Sequence, residues 1–277
     1  MAEKKRVYIV VKTYPTISKE YSELVCTAGL LEDGSWIRLY PVPFRKLDFD
    51  QKYPKYTWIE LEAERNSKDF RPETYRPNLE TLTVHEKPKK PDWDYRRQII
   101  LGKTKIYTDL TELISDAKKK SVSLATFKPT KVKNFKIEEV AREWDPNRLA
   151  ILENLSMQQS FFQTAEELEA EFKVVQKLPY KFSYTFEDCA GRQSTMMIED
   201  WEIGMLYFNC LKRANGNEKL ATQKVRQKYF EQLTERDLYF FLGTTLQHHN
   251  ASKNPFIIIG TFHPPMVKNP DQVSLFD

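Results

Sequence analysis

Glu199, Asp200 and Glu202 form the densest acidic cluster in this chain. Carboxylates so close in sequence can hold a divalent cation for phosphodiester chemistry. On a helix, however, neighbouring positions point apart, and Asp200 reads better as an N-cap whose flanking glutamates complement the helix dipole. A second group is basic. Residues 87–136 carry 14 Lys/Arg against 5 Asp/Glu, whereas 1–86 hold 14 of each and 137–277 hold 15 against 20. That middle stretch, with Lys89, Lys90, Arg96 and Arg97 beside Trp93 and Tyr95, suits salt-sensitive contact with phosphates, or it is a solvated basic face. Arg71 and Arg76 sit among prolines in the segment 69–77, a stiff loop that either presents planar guanidiniums to phosphate or pairs internally. The third group is the carboxy end. Gln272 supplies an amide handle, Ser274 a hydroxyl, and Leu275 with Phe276 two adjacent apolar anchors for a partner's pocket, unless they pack back on the body.

Other chemistries find less support. With 8 glycines in 277 residues there is no glycine-rich phosphate loop. His248-His249 reads as a solvated loop and His263 as a packed residue, since neither has metal ligands at suitable spacing. Cys26, Cys189 and Cys210 are too few and scattered for a disulfide framework or zinc knuckle, and read as reduced and mostly buried. No cofactor is expected, and no linear catalytic motif is present. The N-terminus enters an apolar strand without a leader, and no run reaches membrane-crossing length, which points to a cytoplasmic protein without membrane contact.

The elements that must position these groups read as α+β. Residues 6–11, 23–28, 35–40 and 57–62 are rich in β-branched and aromatic side chains, and Asp33-Gly34 is a hairpin signal. They predict a small barrel or curved sheet over 1–105. In the third run Trp36, Arg38 and Tyr40 alternate with Ile37 and Leu39, so that one face is core and the other is free to read a ligand. Residues 87–105 read as a surface connection. A basic helical insert or linker is expected over 106–155, with an amphipathic helix at 109–119, extended chain at 120–136 and helical tendency at 138–153. A second α+β domain over 156–266 would open on a capping box at Thr164–Glu167, with helices at 198–211 and 221–233 packed on strands. The apolar runs 237–242 and 255–260 should lie centrally, and 267–277 is a flexible tail.

Three resemblances follow. The stretch from Glu23 to Gly29, then Gly34-Ser35-Trp36-Ile37-Arg38, is similar to a Cys-x-Ala-Gly and Gly-x-Trp-Ile-Arg pairing in a bacterial family of dual OB-fold proteins. It implies an N-terminal small barrel, OB- or PUA-like, of a type that commonly binds single-stranded nucleic acid through aromatic and basic residues. The end Gln272-Val273-Ser274-Leu275-Phe276 resembles the motif by which bacterial DNA-processing factors engage the DNA sliding clamp; Gln158–Phe162 imitates it internally and reads as core. Cys189-Ala190-Gly191-Arg192 followed by Ile198–Glu202 is similar to a bacterial pattern with histidine where Arg192 stands. Together these suggest a non-catalytic nucleic-acid-binding protein of bacterial DNA metabolism, serving repair, replication or defence. It would bind DNA or RNA through Trp36, Arg38, Tyr40, Arg71, Arg76, Lys89, Lys90, Arg96 and Arg97, and be recruited by the clamp. A nuclease or nucleic-acid-modifying enzyme with a dispersed acidic site, and a structural subunit of a larger complex, are the alternatives.

Overall fold

A computed structural model describes residues 2–18, 22–85, 90–147, 149–150 and 175–267. The tail residues Gln272, Ser274, Leu275 and Phe276, Lys89, the capping box at 164–167 and the internal copy of the tail motif lie outside these. The first half supplies β1 (Glu3–Lys12), β2 (Thr16–Ser18), β3 (Ser22–Leu30), β4 (Trp36–Val42), β5 (Trp58–Arg65) and β6 (Thr74–Val84). Going round the ring, β1 is followed by β5, β6, β4 and β3, and β3 pairs back with β1, so five strands close into a barrel. The β4–β6 pairing is parallel and the other pairings of the ring are antiparallel. Gly34 takes φ 86° in the β3–β4 turn, a region open to glycine at little cost.

Alternation fills the barrel interior with Val7, Ile9, Ile37, Leu39, Ile59 and Leu61. The outward-pointing set is also dry. Tyr8, Val10, Ala28 and Leu30 pack on Ile99 and Ile100 of α1 (Trp93–Ile100) and on Leu124, Phe241, Ile259 and Phe262 of the second half. Helix α1 occupies ground read from sequence as a surface connection. Asp92 caps it by accepting from the Tyr95 N–H at 2.9 Å, and its two isoleucines are buried.

The second half consists of β7 (Ile106–Tyr107), α2 (Leu110–Lys118), β8 (Leu124–Phe127), β9 (Lys131–Glu139), β10 (Tyr180–Glu187), β11 (Gln193–Met197), α3 (Trp201–Arg213), α4 (Glu218–Arg226), β12 (Tyr239–Thr244) and β13 (Phe256–Phe262). One sheet has the order β11-β10-β9, the other β13-β12-β8-β7. Because β8 pairs with β12 and β9 with β10, residues 106–139 are built into these sheets rather than standing apart as an insert. The helical tendency at 138–153 gives way at its start to the β9 ladder, in which Glu138 pairs with Lys181 and Glu139 with Tyr180. Of the two apolar runs, β12 is central as expected. β13 ends its ladder, and its burial comes from packing on the barrel. Much of the aromatic surplus is here: Phe135 stacks on Phe182 at 5.8 Å and Tyr184 on Phe240 at 5.3 Å, pairs worth about 0.5–1.5 kcal/mol each beyond burial.

A polar pin joins the two halves and corrects the expectation for two arginines. Arg38 is 1% exposed; its Nη1 donates to Thr74 Oγ1 (3.1 Å) and Ser123 Oγ (2.8 Å), and its Nη2 to the Ser123 carbonyl (3.2 Å). Arg71, also buried, donates through Nε to Asp69 at 2.9 Å and through Nη1 to the Thr244 carbonyl. Neither is free for phosphate. The face of β4 assigned to a ligand is covered instead by the second half, with Trp36 edge-on to Phe241 at 5.5 Å.

Candidate functional site

The end of β1 brings Lys12 to a cleft of about 570 Å³ between the halves. The turn before β5 adds Lys55 and Tyr56. Tyr56 holds φ 63°, a left-handed conformation that costs a bulky residue on the order of 1–3 kcal/mol. Reciprocal backbone bonds from Tyr56 N to Ile9 O (2.6 Å) and Ile9 N to Thr57 O (3.0 Å) hold it. Trp93 and Arg96 are three apart on α1 and so share a helix face; both line the cleft. The Arg96 guanidinium lies 4.0 Å from the Tyr56 ring centroid and 5.0 Å from that of Trp93.

Across the cleft, a short β-bridge between Thr13 and Asp200 and a bond from Glu199 N to Ile258 O (2.8 Å) suspend the start of α3 between the barrel and β13. Asp200 caps α3, accepting from the Glu202 N–H at 3.2 Å, which is the role its spacing suggested. Helix α4 runs on into a π-helical segment, Gln227–Gln232, a wider winding often found at functional sites, and this segment contributes Lys228 and Tyr229. Trp201 of α3 and, at the end of β13, Thr261 and His263 also line it.

The floor is an ion cluster. Lys55 Nζ is 2.6 Å from Glu202 Oε2 and 3.7 Å from Asp200 Oδ2, with the Lys55 side chain 4% exposed, that of Asp200 fully buried and that of Glu202 half exposed. Burial alone would lower the Lys55 pKa, but the two carboxylates outweigh it and raise it. Burial drives the Asp200 carboxyl upward against the pull of Lys55, and Oδ2 has no hydrogen-bond partner. Desolvation also opposes the charge on Glu202, yet Lys55 holds its pKa below the ordinary value. Burial pushes His263 down to about 4, so its imidazole is neutral at pH 7. The ammonium of Lys55 thus supplies the cation these carboxylates need, and no group of His, Cys, Asp and Glu side chains able to hold a metal occurs among the described residues.

Of the residues expected from sequence to meet nucleic acid, Arg96 is in this cleft. Arg76 and Lys90 are exposed elsewhere, Tyr40 and Trp36 are half-buried, and Trp36 lines a separate hollow with Tyr75 and Tyr107. Arg97 is tied to Asp237 at 2.9 Å and to the Pro265 carbonyl. Several other charges of the basic stretch are internally paired: Lys105 with Glu112, Lys128 with Asp237 and Lys133 with Glu187. Arg192 is held by Asp188 and Asp109. His249, read as part of a solvated loop, is 1% exposed and bonded to Thr244 Oγ1 at 2.8 Å. Cys189 is exposed rather than buried.

Sequence reading missed Lys12, Lys55, Tyr56, Trp201 and Lys228. Lys55-Tyr56 sits in an unremarkable Pro-Lys-Tyr turn whose direction depends on a left-handed residue that nothing in the sequence marks. Trp201 could have been found, because it follows a recognisable N-cap.

Residues 3–102 match a family described as a domain of unknown function, DUF8758, and residues 106–277 match a second described in the same words, DUF8757. No curated protein matches the chain. The cleft draws its lining from both matched regions.

Proposed function

The chain belongs to the DUF8757 family; from its geometry we propose that it is a nucleic-acid-binding protein whose cleft between the halves receives phosphate and base. The observation that carries this is Arg96. Its guanidinium lies over two aromatic rings, takes part in no ion pair among the described residues, and faces the same cleft as Lys12 and Lys228, whereas Lys55 is held by its carboxylates. Cations beside Tyr56, Trp93 and Trp201 are the combination that grips a sugar–phosphate backbone while its bases stack. The ring order supports an OB-like barrel. Counting only the five closed strands along the chain, it reads 1-4-5-3-2, with the third and fifth parallel.

The test is a fluorescence titration with single- and double-stranded oligonucleotides at several salt concentrations. Arg96→Ala and Lys228→Ala should each weaken binding and lower the slope of log K against log salt by about 1 or less. Binding indifferent to both substitutions would remove the cleft from this role. No helix among the described residues is long and apolar enough to cross a membrane.

Recruitment by the sliding clamp through Gln272, Ser274, Leu275 and Phe276 is part of the same proposal and rests on sequence. Deleting residues 272–277 should abolish capture on immobilised bacterial clamp while leaving oligonucleotide affinity unchanged. Retained capture would refute it.

A further inference from the structure

We infer that the cleft takes one nucleoside monophosphate unit, free or at the end of a strand, and that it selects bases carrying an exocyclic amine. This rests on the nucleic-acid reading above. The volume, about 570 Å³, lies within the range of small-molecule sites, roughly 300–1,000 Å³. Its lining offers two chemistries. Arg96 and Lys228 supply positive charge without an acidic partner among the described residues, which suits a phosphate. The floor offers the opposite. Lys55 is already engaged by Asp200 and Glu202, and the group left facing a ligand is Glu202, half exposed, with one oxygen accepting from Lys55 and further lone pairs open.

A carboxylate there accepts hydrogen bonds and repels acceptors. Adenine, cytosine and guanine each present an amine to it. The N–H of uracil is flanked by two carbonyl oxygens that the carboxylate repels. His263 lines the same cleft as a neutral ring, with its buried Nδ1 lacking a partner, and so adds no charge that would reverse this preference. The rings of Tyr56, Trp93 and Trp201 line the same cleft and provide a surface for the base.

The experiment is calorimetric titration of the full chain with AMP, CMP, GMP and UMP, and with 5′-phosphorylated oligonucleotides that differ only in the terminal base. AMP, CMP and GMP should bind about tenfold more tightly than UMP, the scale of one hydrogen bond to a charged group. Glu202→Gln keeps an acceptor for Lys55 and should bring the four nucleotides to within about twofold; Arg96→Ala should weaken all four alike. If Glu202→Gln loses its native near-ultraviolet dichroism, Glu202→Asp serves instead, with weakened but retained selectivity. A matching preference in the oligonucleotide arm assigns the unit to a strand end, and its absence there to a free nucleotide. Equal binding of all four nucleotides, or oligonucleotides that bind without competition from any mononucleotide, overturns the inference and leaves the nucleic-acid reading intact. Failure of every nucleic acid and nucleotide to bind removes both.

Discussion

Asp69→Ala is expected to lower the unfolding free energy by about 3–5 kcal/mol, the cost of leaving a buried charge without its counter-ion. Arg71 is the charge concerned, 6% exposed and facing the second half, where its remaining acceptor is the Thr244 carbonyl. Burial opposes ionisation of Asp69, but Arg71 outweighs it and holds the carboxyl below its ordinary pKa. The sign follows. A depressed carboxylate pKa contributes stability that is present above the unfolded value, near 3.9, and is lost as pH falls through the folded value. The deficit of the variant, measured by urea unfolding, should therefore be full at pH 7 and shrink in acid. Asp69→Ala combined with Arg71→Met should recover much of the loss, since replacing a whole buried pair by apolar groups is often neutral. A single variant that unfolds at the wild-type midpoint would show that the pin carries no such energy.

Lys55→Met removes the ammonium from between Asp200 and Glu202 and should also cost about 3–5 kcal/mol at neutral pH. Here the pH dependence has the opposite sign. Desolvation opposes the charge on Glu202, and it is Lys55 that holds its pKa below the ordinary value; without Lys55 that carboxyl rises above it. The folded variant then holds a proton that the unfolded chain has released above pH 4, so stability falls by up to roughly 1.4 kcal/mol per pH unit as pH climbs through that window. The variant should come nearest to wild type close to pH 4 and fall behind towards pH 7. Parallel stability profiles for the two proteins would refute this account of the cluster.

Local signals explain what the sequence made legible. Alternation and the Asp33-Gly34 turn located β1, β3, β4 and β5, and the apolar spacings located α2 and α3. Asp200 announced its capping role through its position before an apolar repeat. Long-range covering could not be read this way. Arg38 alternates with apolar neighbours as a surface residue would, yet Ser123, 85 positions onward, meets it in the interior. Gly29, part of the motif that suggested the barrel, has a reason visible only in space: a Cβ there would lie 2.4 Å from the Tyr8 carbonyl oxygen on the adjoining strand. The cleft was harder still, because apart from Arg96 its cations come from a strand end, a turn and a π-wound segment, and share no periodicity.

Closure of the ring has a consequence for how any partner can approach. Since β3 returns to β1, each of the five ring strands has a neighbour on both sides, and among the described residues the edge this sheet leaves to a foreign backbone is that of the three-residue β2. So short an edge leaves recognition at this half chiefly to side chains and connecting turns, whose substitution can retune specificity without unzipping the cylinder beneath.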